Sequence, residues 1–249
     1  MLTNTFIVLA LSVAGIVSAH GKVSVVTGNA GGNGTALGIK GASVARFGKN
    51  SITESDTTVF GGNAKKPLTD GLGKTTADGS LSTDMLSEAM ALSGSILPQV
   101  SMSNGSLTGT WQTVTSDGTA NNADGELFAV LDTTGTGAYS EGTQLVANTA
   151  MVGNGNGNVV QRALTMTGIK KRATNVGADA KFVVEVPAGT NCTGTDATTG
   201  LTGICYMKIV NNNNAGPFGG NVAFQMAVAS NMTASNMTAM AKQGQRFRA

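Results

Sequence analysis

Lys181-Phe182-Val183-Val184-Glu185-Val186, closed by Pro187, is the stretch that decides the fold class. Phe182, Val184 and Val186 fall on one side of an extended chain, while Lys181 and Glu185 fall on the other. That period of two is the signature of a half-buried strand, and Pro187 cannot continue the ladder. Working outward, similar β-branched runs predict strands at Lys22–Val26, Leu107–Val114, Glu126–Leu131, Gln144–Ala147, Val159–Met166, Ile204–Val210 and Val222–Val228. Turn chemistry separates them: Ser116-Asp117-Gly118, Ala123-Asp124-Gly125, Asn154-Gly155-Asn156-Gly157 and the run 211–216. One helix is expected, with Met85, Leu86, Ala89, Leu92 and Ile96 as its apolar face. Ser82 or Thr83 would cap it, Asp84 would favour its dipole, and Pro98 would stop it. The pattern predicts a mainly β fold: an antiparallel immunoglobulin-like β-sandwich with one short helix and long Gly/Asn-rich loops.

The chain has 249 residues, with 16 Lys+Arg against 14 Asp+Glu, a formal charge of +2. So balanced a surface offers no electrostatic case for nucleic acid or an anionic membrane. The apolar run Phe6–Val17 is too short to span a bilayer, and Val17-Ser18-Ala19 has the small residues of a signal-peptidase site. We therefore expect a signal peptide at 1–19, a single β-sandwich domain at 20–229 and a flexible tail at 230–249. A buried N-terminal strand or helix is the alternative for the first segment. The polar C-terminus gives no GPI signal, so secretion without a membrane anchor is expected, to the extracellular space or the cell wall.

Secretion sets the chemistry of the remaining residues. Cys192 and Cys205 are the only cysteines. An oxidising compartment favours their pairing, and two buried thiols are the alternative. N-x-S/T sequons at Asn33, Asn104, Asn191, Asn231 and Asn236 become usable glycosylation sites. Lys170-Lys171-Arg172 reads as a solvated turn, or else as a processing site. Gly32-x-Gly34 imitates a phosphate loop but lacks the helix and acidic residue of one, and reads as a flexible loop. Asp117, Asp124 and Asp132 lack Ca²⁺-loop spacing.

His20 is the single histidine. Cleavage after Ala19 would place a free α-amine beside its imidazole, and two such nitrogens can chelate copper. Ala19-His20-Gly21 resembles the processed start of secreted copper monooxygenases that attack polysaccharides. Their second histidine is missing here, so His20 is a candidate copper ligand without a full brace. Aromatic residues make up only 4% of the chain, and Trp111 lies within a predicted strand, which disfavours a sugar-stacking platform.

Several motifs together resemble the fungal appressorium-specific virulence-factor family, the Egh-type, Gas- or Mas-like secreted proteins. They are Ala19-His20-Gly21, Asp56-Thr57-Thr58-Val59-Phe60-Gly61-Gly62, Asp132-Thr133-Thr134-Gly135-Thr136-Gly137, Asn191-Cys192-Thr193-Gly194 with Cys205, and Gly216-Pro217-Phe218-Gly219-Gly220 with Gln225. The resemblance implies a secreted factor acting at a host surface or a fungal cell-wall component, with no catalytic residues to carry over. A copper protein acting on wall polysaccharide and a structural wall glycoprotein are the alternatives. The resemblance also implies further cysteines, and this chain has Leu72 and Asn221 where some of them are expected.

Overall fold

A computed structural model describes residues 21–41, 55–61, 66–114, 127–149, 179–211 and 216–227. The signal segment, His20, the predicted strand Val159–Met166, Lys170-Lys171-Arg172, Asn231 and Asn236 lie outside these residues. The long strands are β1 (Gly21–Gly28), β7 (Gly105–Thr113), β8 (Leu127–Asp132), β9 (Thr143–Thr149), β10 (Asp179–Val186), β12 (Thr202–Asn211) and β13 (Phe218–Met226). Shorter ones are β2 (Gly31–Gly34), β3 (Thr58–Val59), β4 (Lys74–Thr75), β5 (Gly79–Ser80), β6 (Gln99–Val100) and β11 (Gly194–Thr195). The only described α-helix, α1, spans Leu86–Ser93 after a 3-10 turn at Thr83–Met85.

The hydrogen-bonded order is β2-β1-β7-β10-β9-β8-β12-β13-β3-β4-β5, with β11 on β12 and β6 on β13. All long-strand pairs are antiparallel. One continuous sheet therefore rolls until β1 packs against β13 across the core. The expected separation into two hydrogen-bonded sheets is not what the ladder traces.

Burial follows the pleat. In β10, Phe182, Val184 and Val186 are buried while Lys181 and Glu185 are exposed. In β7, Leu107 and Trp111 point inward at the same period. These residues join Val23, Leu127, Cys205, Met207, Ile209 and Phe224 in the inner core. Glycine makes the roll close. A Cβ on Gly220 would lie 2.5 Å from the Ala36 Cβ and 3.2 Å from the Val23 Cβ, so only hydrogen fits where β13 meets β1. A Cβ on Gly109 would collide with the Phe182 ring, its cross-strand partner.

Strand β12 is buried on both faces from Ile204 to Asn211. Its outer face carries a second core of Leu72, Leu81, Leu86, Tyr139, Ile204, Tyr206 and Ala223, roofed by α1 and the segment 66–81. The sequence reading differs here in two places. First, α1 ends at Gly94 (φ 123), well before Pro98, because a positive-φ glycine terminates the backbone. Leu86 and Ala89 are buried, but Leu92 and Ile96 stand 54% and 45% exposed, and Ser82 makes no capping bond. Second, Gly31–Gly34 is a strand paired with β1. It holds its place because Gly32 and Gly34 lie against Leu97 and Pro98, where a side chain would clash.

Cys192 and Cys205 form a disulfide with Cα atoms 4.9 Å apart. It closes a loop with a sequence separation of 13. The loop-entropy model assigns roughly 3 kcal/mol to such a crosslink. We expect Cys192→Ala with Cys205→Ala to lose about that much in urea unfolding. A loss below about 1 kcal/mol would show that packing alone holds β11 to β12.

Candidate functional site

The long strands define two poles. At one lie the start of β1, the end of β7, the start of β8, the end of β12 and the start of β13. Two of the sequence motifs meet at this pole. Phe218 and Gly219 pair with Val59 and Thr58, and the Phe60 N–H donates to the Pro217 carbonyl at 2.9 Å. Gly216–Pro217 is a cis peptide bond, and the Asn211 Oδ1 accepts the Phe218 N–H at 3.0 Å. Gly219 is needed because a Cβ there would strike the Ile209 carbonyl across the ladder.

Asp56 ties this assembly to β1. Its two carboxylate oxygens accept hydrogen bonds from the Lys22 Nζ at 2.9 and 3.0 Å, and Oδ2 also accepts the Lys40 N–H at 3.2 Å. Lys22 is 2% exposed and Asp56 0%. The adjacent Thr57 and Thr58 hydroxyls are buried and find no hydrogen-bond partner among the described residues, and neither does the Trp111 Nε1, whose ring edge lies against Gly21. Trp111 is thus a core residue, as its place in a strand predicts.

A second polar centre sits beneath the roof. Lys208 is 1% exposed, and its Nζ donates to the carbonyls of Pro67 at 3.0 Å and Thr69 at 2.9 Å. The Phe60 and Tyr139 rings lie 4.7 and 5.1 Å away, so the ammonium faces aromatic surface and carbonyl dipoles. Beside it, the Asn221 Nδ2 donates to the Leu72 carbonyl at 2.6 Å, and its Oδ1 accepts the Tyr139 hydroxyl at 2.8 Å. Asp70 completes the strap by accepting the Ser140 N–H at 2.7 Å and hydroxyl at 2.8 Å. The two positions where the resemblance implies cysteines are therefore in contact, joined by an amide hydrogen bond.

Burial pushes the Lys208 amine down from 10.5 to about 8, with Asp70 opposing the shift. Between those values the unfolded chain binds a proton that the folded chain has released, so stability rises with pH. Burial raises the Tyr139 hydroxyl well above 10.0, and that of Tyr206 likewise, so above pH 10 the folded chain retains protons and stability falls. We expect urea midpoints to rise from pH 8 to about 10, by up to about 3 kcal/mol in stability, and then to decline. Lys208→Met should abolish the rise and leave the decline. A rise of the same size in Lys208→Met would assign the effect to another group.

The Asp132 motif lies at the other pole and builds a loop. Its carboxylate accepts N–H groups from Thr134 at 2.7 Å, Thr136 at 2.9 Å and Gly137 at 2.7 Å, plus the Thr134 hydroxyl at 2.6 Å. This is turn chemistry, which needs no Ca²⁺. Among the described residues no group of three or more His, Cys, Asp or Glu is placed to hold a metal. His20 precedes the first described residue, and Asp56, the carboxylate bonded to the neighbouring Lys22, is engaged by that ammonium. Trp111, Tyr139 and Tyr206 are all buried, so none offers a ring for sugar stacking. Among the described residues no helix is long and apolar enough to cross a membrane.

Of the sequence-named sites, the structure brings together Cys192 with Cys205, and Gly216–Gly220 with Asp56–Phe60. Asn33, Asn104 and Asn191 are exposed. The sequence motifs point to neither the Lys22–Asp56 pair nor the Lys208–Asn221 centre. Nothing in their local spacing marks them, though a lysine within the apolar run Ile204–Val210 was a visible anomaly.

Comparison with known proteins agrees with the motifs. A family model described as Egh16-like virulence factor matches residues 18–219. A curated relative, the appressoria-specific virulence factor GAS1 of Pyricularia oryzae, is 31% identical over 228 residues, covering 91% of this chain and 80% of the relative. No solved structure matches the chain.

Proposed function

This chain belongs to the Egh16-like virulence factor family, and from that premise we propose that it is a secreted, non-catalytic fungal protein of the host interface. The match over residues 18–219 supports an appressorium-associated virulence role. The use made of the motif residues supports the non-catalytic part. Asp56 and Asp132 are consumed by buried ion pairing and loop building, and the motif glycines by close packing. The working surface is therefore the exterior of one rolled-sheet domain, glycosylated. Its partner is a host surface or a component of the fungal wall.

The experiment has two parts. Intact mass of the protein from culture medium should begin at His20, and a disruption strain should penetrate host tissue less well than its complemented control. A chain retained in the cell with its first residues intact would overturn the secreted reading. Undiminished penetration would overturn the virulence role. Release of soluble sugars from chitin or β-glucan by the purified chain, with a reductant present, would overturn the non-catalytic reading.

A further inference from the structure

Asn33, Asn104 and Asn191 are far apart in sequence, yet the topology gathers them. β1 ends at Gly28 opposite Leu107, and β10 ends at Val186 opposite Gly105, so the turns after β1 and β10 and the turn before β7 share one pole. Asn29 clamps the first of these to the last. Its Nδ2 donates to the Asn104 carbonyl at 3.0 Å, and its Oδ1 accepts the N–H groups of Ser101 at 3.0 Å and Ser106 at 3.2 Å. The Gly189 N–H donates to the Met102 carbonyl at 3.4 Å, which brings in the turn leading to Asn191. Asn33 sits on β2, directly across from Thr27.

Each of the three residues is exposed, and no hydrogen bond to a described residue engages its amide nitrogen. The Asn33 Oδ1 accepts the Thr27 hydroxyl at 2.8 Å, which uses the oxygen and not Nδ2. Asn104 holds φ 52 in the exposed turn before β7, a left-handed conformation that asparagine tolerates. The sequon hydroxyls differ. Thr35 is buried and donates to the Ser24 carbonyl at 2.7 Å, so it is fixed once the sheet forms, whereas Thr193 donates to the Thr133 carbonyl at 3.2 Å at an exposed position.

Resting on the secreted reading above, we infer that Asn33, Asn104 and Asn191 carry N-linked glycans that together cover this one pole. In the transfer, Nδ2 attacks the anomeric carbon of an oligosaccharide carried on a polyprenyl pyrophosphate. The N–C bond forms, the C–O bond to pyrophosphate breaks, the amide gives up a proton and the lipid pyrophosphate leaves. Because the buried Thr35 hydroxyl is engaged in the fold, transfer to Asn33 precedes closure of the sheet. The opposite pole, where β1 begins beside Asp56–Phe60 and Gly216–Gly220, holds no sequon among the described residues.

The test is site mapping on the full chain secreted by a fungal host, using peptide N-glycosidase in ¹⁸O-water. The enzyme converts each glycan-bearing Asn to labelled Asp. Label at positions 33, 104 and 191 is the expected result. N33Q, N104Q and N191Q should each remove one glycan from the intact mass, and the wild-type map stands if a variant fails to secrete. Any one of the three positions unlabelled in the secreted chain overturns the glycan-covered pole while leaving secretion intact. A chain that never reaches the medium and carries no glycan overturns both.

Discussion

Asp56→Ala is expected to destabilise the protein by about 3–5 kcal/mol, enough to unfold many domains of this size. The reason is the ammonium it would leave behind. The Lys22 Nζ lies 2.9 Å from Oδ1 in a site where neither side chain is more than 3% exposed. Removing the carboxylate takes the bonded opposite charge from a desolvated ammonium, whereas removing both charges does not. Asp56→Ala combined with Lys22→Met should therefore recover most of the loss, as read from urea midpoints. The Lys40 N–H, which also donates to Asp56, keeps the recovery incomplete. The yield of folded protein on expression should follow the same order, because unstable chains are cleared in the cell. A single-variant loss below about 1 kcal/mol, or a double variant worse than the single, would show that the pair does not hold β3 and β1 together.

Asn221→Leu is expected to cost about 4 kcal/mol. Asn221 is fully buried and satisfies two groups at once, the Tyr139 hydroxyl and the Leu72 carbonyl. Each buried polar group left without a partner costs about 1–3 kcal/mol, and leucine can bond to neither. The effect should be local in origin. Asn221 and Lys208 are paired residues on β13 and β12, and both reach up to the roof segment that includes Pro67, Thr69 and Leu72. Hydrogen exchange should speed first in that segment and in the turn at Tyr139, ahead of β7 and β10. Tyr139→Phe combined with Asn221→Leu should cost less than the sum of the single variants, since they share one bond. Additive costs would show that the tyrosine contact contributes nothing of its own.

These two centres explain why the motifs were easier to find than to interpret. Asp56 in Asp-Thr-Thr-Val-Phe looks like an exposed polar residue ahead of a strand, because its partner Lys22 is 34 positions away. Lys208 sits 139 positions from one of the carbonyls it holds and 141 from the other. No local period carries such a pairing. The helix shows the same limit from the other side. The 3–4 spacing of Leu92 and Ile96 predicts burial, yet Gly94 ends the helix between them and both face solvent.

The sequence alone determined the secondary-structure class and most strand positions. Lys181–Val186 alternates for a physical reason that needs no tertiary knowledge: one face must meet the core and the other must meet water. The same pattern located the cores of β1, β7, β8, β9, β12 and β13, and the pair of cysteines told which segments a crosslink joins. The tertiary structure decided how those strands roll into one sheet, and which polar residues fall inside. It placed Asp56 against Lys22, set the Asn221 amide on the Leu72 carbonyl, and gathered three sequons at one pole. Those outcomes depend on contacts between residues far apart in the chain, and a desolvated charge finds its partner only when the sheet has closed around it.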